Sequence, residues 1–411
     1  MGKTTSRVLL LTLFAAALDC KVSAQSTETV LVLVHASLID GVSSEPARDA
    51  TIVVRGARIE SVATRPASIP AGAEVVDLKG HWLLPGYVDA HAHLFDIAAA
   101  RRALQYGTTT VRVMGVNNFA DVGIRELHNG GMTDLPGVVA AGYQIRPDLA
   151  KAFAGFLLDF PTMSRFASGL RGSDNLRSIV RAYAEHHVDL IKVLATERAG
   201  TPDTDPRKRT FTDEELASIV DEARKLGLPV AAHAHSDDGA RAAVLAGVRS
   251  IEHGTYLTDE TLHLMQARGT YFDPTISTWD EGAKSDNPIL QIRTRAMKPR
   301  AGNAAGRGWK MGVKIVAGTD SAYDSAGLGL GMADEIGELV RAGMPPLEAI
   351  KAGTSVSAEC LGLDKRVGTI KPGMTADFIV VDSNPLADIS ALQDLILVIH
   401  DGKVVANHLN P

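Results

Sequence analysis

Histidine, lysine and aspartate side chains stand at the ends of several short apolar runs in this sequence. The stretch "GYVDAHAHL" ends with His91 and His93, which are one residue apart. Because alternate residues of a strand point to the same face, both imidazoles would lie on one face of a strand. Such a pair suits a metal site, although on its own it is equally typical of two hydrogen-bonded core histidines.

More histidines of this kind lie farther along the chain. "LPVAAHAHS" carries His233 and His235, and "VRSIEHGT" carries His253. Taken singly, each is more typical of a buried structural histidine than of a ligand. The joint pattern favours ligands, since five of the 13 histidines fall at the ends of predicted strands. The others are interpreted as structural or solvated: His35, His81, His128, His186, His187, His263, His400 and His408.

Lys192 interrupts the apolar run "VDLIKVLAT" with a cationic group. An unpaired ammonium is costly to bury, so it must be neutralised, paired or used. It could pair with a carboxylate, form a Schiff base, or react with carbon dioxide to give a carbamate that bridges two metal ions. The imidazoles predicted nearby favour the carbamate, which offers two oxygens to a pair of cations.

Asp320 ends the run "VKIVAGTDS" with a carboxylate. An aspartate after a threonine is commonly a helix cap or a turn former. Its predicted position opposite the His91 and His93 pair favours a metal ligand and proton acceptor.

Eight apolar runs alternate with helical patterns in the middle of the chain, which predicts strands followed by helices. The runs are "YVDAHAHL", "TTTVRVMG", "GVVAAGYQI", "VDLIKVLAT", "LPVAAHAHS", "VRSIEHGT", "TYFDPTIS" and "VKIVAGTD". The helical patterns include "TDEELASIVDEARKLG", which Thr212 would cap. This alternation predicts an α/β fold with a (β/α)8 TIM-like barrel at residues 86–361, whose strands end at one common site. A doubly wound open sheet is the alternative, but it usually begins with a glycine-rich turn, and "GLGLGMADE" follows a loop.

Both ends of the chain are rich in strand patterns. "TVLVLVHASLIDG", "ATIVVRGARIESVA" and "AEVVDLKGHWLLPG" near the start have the same texture as "GMTADFIVVDS" and "LILVIHDGKVVA" near the end. Residues 25–85 and 362–411 are therefore predicted to pair into one small β-sandwich domain.

The first residues have the anatomy of a secretory signal peptide. A basic start, an apolar run at residues 8–18 and the small-residue site Val22-Ser23-Ala24 predict a signal at residues 1–24, cleaved after Ala24. The run is too short to span a bilayer, so we expect an exported protein, periplasmic or secreted, with no membrane association once the signal is removed. Cys20 would leave with the signal, and Cys360 is predicted to be a small buried core residue.

Composition limits the class of partner. The chain has 411 residues, 45% hydrophobic and 22% charged, and a formal net charge of −6. No dense block of lysine and arginine occurs, so nucleic acid is not an expected partner.

The chain resembles the metal-dependent amidohydrolase superfamily, and within it the prolidase-like Xaa-Pro/Xaa-Arg dipeptidases and the ochratoxinase-type amidases. The resemblance rests on "LLPGYVDAHAHL", "IKVLAT", "PVAAHAHSDDGARAAVLAGVRSIEHGT", "VKIVAGTDS" and the tail "LEAIKAGTSVSAECLGLDKRVGTIKPGMTADFIVVDSNPL". It implies a homo-oligomer that hydrolyses a small-molecule amide or dipeptide.

The resemblance also implies a set of ligands for two divalent metal ions, with zinc expected. His91, His93 and Asp320 would hold the more buried ion, and carbamylated Lys192 would bridge it to a second ion. His233 and His253 would hold that second ion, with His235 the alternative ligand on strand five. If His233 is the ligand, His235 would face the substrate or support the other ligands. In this interpretation Asp320 also carries the proton from the attacking water to the leaving nitrogen.

One departure from the dipeptidase pattern bears on the substrate. Those enzymes usually carry a Gly-Gly-His element after strand three, where this chain has "GYQIRPDLAKAFAGFLLDF". Its apolar residues are Phe153, Phe156, Leu157, Leu158 and Phe160. They suit a bulky hydrophobic acyl group if they line the pocket, and an ordinary buried segment if they do not. Arg146 and Arg112 are candidates to bind a substrate carboxylate.

Two other functions remain open from the sequence. A mononuclear deaminase of a heterocycle would carry His-x-Glu at strand five, where this chain has His233-Ala234-His235. A non-catalytic barrel scaffold would have lost ligands, whereas all six ligand positions are filled here.

Overall fold

The computed structural model describes residues 2, 29–64, 68–149, 169–324 and 331–409. The predicted signal at residues 1–24 (apart from residue 2), the apolar run at residues 153–160 and residues 327–330 of the glycine-rich stretch lie outside these ranges. The described part has a mixed α/β architecture.

The strands of the described part are β1 (Val30–Leu38), β2 (Ala47–Arg55), β3 (Arg58–Ala63), β4 (Glu74–Asp77), β5 (Trp82–Pro85), β6 (Tyr87–Ala92), β7 (Thr108–Val113), β8 (Gly137–Ala140), β9 (Ile191–Leu194), β10 (Val230–Ala234), β11 (Ser250–His253), β12 (Tyr271–Asp273), β13 (Phe378–Val381), β14 (Leu395–His400) and β15 (Lys403–Asn407). Its α-helices are α1 (Ile97–Gln105), α2 (Ala120–Asn129), α3 (Ser173–Glu185), α4 (Asp213–Lys225), α5 (Asp237–Ala246), α6 (Asp259–Arg268), α7 (Trp279–Lys284), α8 (Pro288–Lys310), α9 (Met332–Arg341), α10 (Pro346–Ala352) and α11 (Ser355–Leu361). Single 3-10 turns cover Asn117–Phe119 and Ile389–Gln393.

The strands of the middle region are parallel and pair in chain order. β6, β7 and β8 form one sheet, and β9, β10, β11 and β12 form another. A parallel bridge between Ile145 and Val193 joins the chain that follows β8 to β9. Every residue of β6, β9 and β10 is buried, as expected for parallel strands that are covered on both faces.

The eighth predicted strand, "VKIVAGTD", is described as bridges and not as a continuous strand. Ile315 pairs in parallel with Phe272 of β12, and Ser321 pairs in parallel with Ala92 of β6. Between them the chain runs so close to its neighbours that a Cβ on Gly318 would lie 2.5 Å from His91 Cβ. Glycine is therefore required where this segment crosses behind His91.

Helix α4 illustrates how the helices cover these strands. Thr212 caps it as predicted, in a capping box with Glu215. Its buried apolar residues recur at the spacing of one helix face, Leu216, Ile219, Val220 and Ala223.

Strands from the two ends of the chain share one eight-stranded sheet, with the order β15-β14-β13-β5-β1-β2-β3 and β4 beside β1. The two ends meet where β5 pairs antiparallel with β13, with Leu84 opposite Ile379. One buried apolar cluster draws on both ends, including Leu33, Ile52 and Phe378. Division of this sheet into two packed layers stays a prediction.

The structure also bears on Cys360 and on the length of the helices. Cys360 is buried as predicted, with 2% of its surface exposed. Among the helices that the structure describes, none combines the length and apolar character needed to cross a membrane.

Candidate metal centre

The predicted site residues lie together at the carboxyl ends of the parallel strands. A cavity of about 380 Å³ is lined by His91, His93, Lys192, His233, His235, His253 and Asp320. They come from β6, β9, β10, β11 and the segment after the bridge at Ile315, although nearly 230 positions separate the first from the last in sequence. The carboxyl ends of parallel strands therefore bring all seven side chains to one place.

His91 and His93 both turn one ring nitrogen toward Asp320. Nε2 of His91 lies 3.3 Å from Asp320 Oδ1, and Nε2 of His93 lies 3.0 Å from the same oxygen. Their other nitrogens face acceptors, because His91 Nδ1 lies 2.9 Å from Glu252 Oε2 and His93 Nδ1 lies 2.7 Å from the Gly115 carbonyl. A proton on Nδ1 leaves the Nε2 lone pair available, which is the usual arrangement of histidine ligands.

The other three imidazoles form a group beside this pair. The ring of His253 lies 5.1 Å from that of His91 and 4.5 Å from that of His233, centroid to centroid. Nδ1 of His253 contacts Thr275 Oγ1 at 2.7 Å. His235 contacts Thr255 Oγ1 at 2.9 Å, and its ring lies 5.8 Å from that of Trp279, which also lines the cavity.

Lys192 is buried among these groups, with 1% of its surface exposed. Its Nζ has no hydrogen-bond partner among the described residues. Burial lowers the pKa of Lys192 to about 8, although the charges of Glu252 and Asp320 partly oppose this. An amine that is neutral in an appreciable fraction near pH 8 can react with carbon dioxide.

The charge states of the site match those of a set of metal ligands. Burial holds the pKa values of His233 and His253 well below their ordinary range, and that of His235 at about 3. These imidazoles are therefore neutral at pH 7, as ligation requires. Burial alone would raise the pKa of Asp320, but the imidazoles of His91, His93 and His253 around it hold the pKa well below its ordinary value.

Backbone strain accompanies the site. His253 has a φ of 71° and Asp320 a φ of 53°, both in the left-handed region that non-glycine residues seldom adopt. Such conformations persist only where the surrounding structure imposes them, and they cluster at functional sites.

Asp89 fixes the segment that carries Asp320. Its carboxylate accepts hydrogen bonds from the Thr319 backbone N at 3.0 Å and from Thr319 Oγ1 at 2.7 Å. It also accepts one from the His91 backbone N at 3.0 Å. The positions of His91 and Asp320 relative to one another are thus set by one buried carboxylate.

An ion-pair network behind His91 was not predicted from the sequence. Glu252 Oε2 lies 2.9 Å from His91 Nδ1 and 3.2 Å from Arg112 Nη2, and all three side chains are buried. Burial would raise the pKa of Glu252, but Arg112 and Lys192 hold it well below its ordinary value. Asp273 lies 3.6 Å from the same guanidinium, and burial raises its pKa. Arg112 is therefore a buried partner of Glu252, and its proposed role as a substrate-binding cation is wrong.

Arg146 lies at the outer edge of the site. It lines a neighbouring cavity of about 370 Å³ together with His93, Asp320 and Arg198. Its Nε lies 3.2 Å from Asp148 Oδ1. Arg198 lines both cavities, and burial and the charge of Arg146 lower its pKa. No local sequence signal pointed to Arg198, because it lies in the loop after β9 and not at a strand end.

The donor set fits a metal centre of imidazole and carboxylate ligands. His91, His253 and Asp320 each offer a ligand atom within 4.8 Å of the other two. Nδ1 of His91, of His93 and of His253 faces an acceptor or a hydroxyl, which leaves each Nε2 for a metal. In the part of the chain that the structure describes, Lys192 Nζ has no partner at hydrogen-bond distance. A carbamate at Nζ would remove the buried cation and supply a second anionic ligand beside Asp320.

Replacing Glu252 by glutamine tests the support of His91. We expect metal affinity to be weaker by about 10- to 100-fold, because a neutral amide oxygen accepts the hydrogen bond from Nδ1–H of His91 less strongly than a carboxylate does. Affinity would be measured by chelator competition, with Glu281→Gln, which removes a carboxylate that lines the cavity, as the control. Unchanged affinity in a folded Glu252→Gln variant would contradict this role.

Comparison with known proteins agrees with the sequence resemblance. Residues 82–405 match the family model described as the amidohydrolase family. The chain therefore belongs to the amidohydrolase family. Within it, ochratoxinase from Aspergillus niger is 33% identical over 235 residues, which are 56% of this chain and 48% of ochratoxinase. The chain thus spans about half the length of this curated relative.

Two solved structures are similar over nearly the whole chain. A Xaa-Pro dipeptidase with bound methionine in its active site has a TM-score of 0.82 and 29% identity, and the match covers 92% of this chain and 100% of that one. The structure of A. niger ochratoxinase has a TM-score of 0.77 and 26% identity, with 92% and 96% of the two chains covered. The resemblance to both branches of the superfamily is confirmed.

Proposed function

We propose that this chain is a binuclear metal-dependent amidase that cleaves the amide bond of an N-acyl amino acid with a bulky acyl group, of the ochratoxin type, or of a dipeptide. The observation that carries the proposal is the buried Nζ of Lys192, which has no hydrogen-bond partner among the described residues and shares a cavity with five imidazoles and Asp320. A single-metal deaminase or a scaffold gives no reason to bury a lysine there.

The proposal includes the architecture around the site. The parallel pairings from β6 to Ser321, which returns to Ala92, support a closed (β/α)8 barrel at residues 86–361. The eight-stranded sheet supports a β-sandwich domain from residues 25–85 and 362–411. A signal at residues 1–24, export to the periplasm or medium and a homo-oligomeric assembly complete this proposal.

His91, His93 and Asp320 are proposed to hold one ion, and His233 and His253 the second, with carbamylated Lys192 between them. The contact of both Nε2 atoms with Asp320 Oδ1 supports the first set. The 4.5 Å separation of the His233 and His253 rings supports the second. His235 lies toward Trp279, which supports a substrate-facing role. Zinc is the expected metal, because it accepts this mixture of nitrogen and oxygen ligands.

Bound metal ions would supply a water of lowered pKa and would polarise the amide carbonyl. The chain's own contribution is proton transfer at Asp320, whose carboxylate is ionised at neutral pH and points into the cavity. It accepts a proton from the attacking water and gives it to the leaving nitrogen. Asp89 keeps this carboxylate in position through Thr319.

Arginines at the mouth of the cavity support a substrate with a free carboxylate. Arg146 and Arg198 line the outer cavity that adjoins His93 and Asp320. An amino acid released from an N-acyl conjugate or a dipeptide carries such a carboxylate beside the cleaved bond. Both arginines are therefore proposed to bind the leaving amino acid through its carboxylate.

The test is hydrolysis of a substrate panel by the purified mature protein, with metal content measured on the same sample. The panel holds N-aroyl phenylalanines including ochratoxin, Xaa-Pro and Xaa-Arg dipeptides, and an aminopurine. Cleavage of the aromatic conjugates with about two ions per chain is expected, and weaker cleavage of their methyl esters would support the arginine assignment. Ammonia release from the aminopurine alone would support a deaminase, and a protein without stoichiometric metal would support a scaffold.

A further inference from the structure

A second cluster of imidazole and carboxylate groups lies outside the site described above. His128 is on α2, His400 ends β14, and Asp401 begins the turn to β15. Each offers one ligand atom within 4.8 Å of the other two. From the sequence, His128 and His400 were interpreted as structural or solvated, and this cluster was not predicted.

Both imidazoles of this cluster are oriented as metal ligands are. His128 Nδ1 lies 3.0 Å from the Leu135 carbonyl oxygen, and His400 Nδ1 lies 2.9 Å from Asp377 Oδ1. A carbonyl oxygen cannot donate, so the proton of His128 is on Nδ1, and the carboxylate of Asp377 selects the same tautomer for His400. Both Nε2 atoms therefore present lone pairs toward Asp401.

An unpartnered atom gives independent support. Nε2 of His400 has no hydrogen-bond partner among the described residues, although His400 is only 2% exposed. A buried polar atom without a partner is costly, and a bound ion would satisfy it. Water is the other possible partner, and metal titration distinguishes the two.

The distances favour a shared ion over a simple ion pair. Nε2 of His128 and Nε2 of His400 each lie 3.7 Å from the same atom, Asp401 Oδ2. Two donors at about 2.1 Å from a tetrahedral zinc ion are about 3.4 Å apart, so small side-chain movements would close the site. A protonated His400 paired with Asp401 would instead bring one nitrogen to hydrogen-bond distance and leave the other unaffected.

The turn that carries Asp401 makes this arrangement rigid. Asp401 and Gly402 both have positive φ, 49° and 73°, as in the two-residue turn that aspartate followed by glycine favours between antiparallel strands. Asp377 Oδ1 also accepts a hydrogen bond from the Asp401 backbone N at 2.9 Å. One carboxylate thus positions two of the three candidate ligands.

We propose that His128, His400 and Asp401 bind one divalent transition-metal ion, with Asp377 as the positioning residue of His400. The three ligands border a cavity of about 1000 Å³, which leaves room for water at the remaining coordination position. The ion ties α2 to the hairpin of β14 and β15, so its role is structural. Two histidines and one carboxylate form a set that zinc and iron both accept.

The experiment compares Zn²⁺ binding by the full chain with that by His128→Gln and Asp401→Asn. Metal-free protein would be dialysed to equilibrium against buffered Zn²⁺, and bound metal would be counted by mass spectrometry. We expect each variant to bind one ion fewer than the wild type, and Zn²⁺ to raise the Tm of the wild type by more than that of either variant. Asparagine keeps the turn while removing the carboxylate charge. His263→Gln, an exposed histidine on α6, is the matched control and loses no ion.

Amide hydrolysis separates this proposal from the preceding one. Both variants are expected to cleave the panel substrate within about twofold of wild type, because neither residue lines the cavity of Lys192. Equal zinc stoichiometry in the wild type and in folded His128→Gln and Asp401→Asn would overturn the second metal site whatever the activity. Loss of an ion in His263→Gln as well would assign the binding to surface histidines and would overturn it equally.

Discussion

Lys192→Ala is expected to lower kcat/KM for amide hydrolysis by roughly a thousandfold, about 4 kcal/mol of transition-state stabilisation. The variant would lack the carbamate, which is the anionic ligand that the two proposed metal ions would share. Metal content would fall from about two ions per chain to about one. Folding would not suffer in the metal-free protein, since Lys192 Nζ is a buried cation with no hydrogen-bond partner among the described residues. Steady-state kinetics, metal analysis and thermal unfolding of the metal-free variant measure these three effects.

Carbamate formation also predicts a pH dependence of reconstitution. The reacting species is the neutral amine, and burial lowers the pKa of Lys192 to about 8. The neutral fraction rises as pH is raised through 8, so metal-free wild-type protein would regain activity faster at pH 9 than at pH 7. Added bicarbonate would accelerate the recovery, and removal of carbon dioxide would slow it.

Chemical rescue provides the sharpest control for this prediction. Alanine leaves a space in which formate, acetate or propionate could take the place of the carbamate, so these acids are expected to restore part of the activity of Lys192→Ala. Lys371→Ala, which removes an exposed lysine, serves as the matched control. A Lys192→Ala protein that retains two ions and wild-type turnover would show that Lys192 is not a ligand.

The positions of the ligand candidates could be predicted because strands encode them locally. Each apolar run that ends in a histidine or in Asp320 marks the carboxyl end of a parallel segment, and parallel segments share that edge. The spacing of His91 and His93 placed both on one face, and the structure brings both Nε2 atoms to Asp320. Thr212 was likewise recognisable as a cap from the residues beside it.

The partners of these residues could not be predicted, because they depend on contacts between distant segments. Glu252 lies within a buried strand, and nothing beside it in sequence identifies its partners. It contacts His91, 161 positions away, and Arg112, 140 positions away. Arg112 was a candidate for substrate binding because a cation in an apolar run needs an anionic partner. The sequence does not show whether that partner is a substrate or another residue of the chain. Likewise, His128 and His400 are brought together only by the packing of α2 against the terminal sheet.

Asp320→Asn is expected to lower kcat by about a thousandfold, because general acid–base catalysis commonly contributes 10²- to 10⁴-fold. The wild-type pKa lies well below its ordinary value, so the carboxylate is ionised and able to accept a proton throughout the neutral range. Asparagine has nearly the same shape and keeps one oxygen toward His91 and His93, but it cannot carry a proton. Kinetics would be measured at saturating Zn²⁺, with bound metal determined on the same samples.

The leaving group separates proton transfer from metal binding at Asp320. A nitroanilide expels a nitrogen that needs little protonation, whereas an alkyl amide needs a proton before the bond can break. If Asp320 gives its proton to the leaving nitrogen, Asp320→Asn would lower activity on both substrates, but the fold-loss on the nitroanilide would be at least ten times smaller than that on the alkyl amide. Glu281→Gln, a carboxylate in the same cavity whose pKa is raised by burial, would affect the two substrates equally. An equal loss on both substrates, with reduced metal content, would make Asp320 a ligand that transfers no proton, and the acid would have to be sought in another side chain of the cavity.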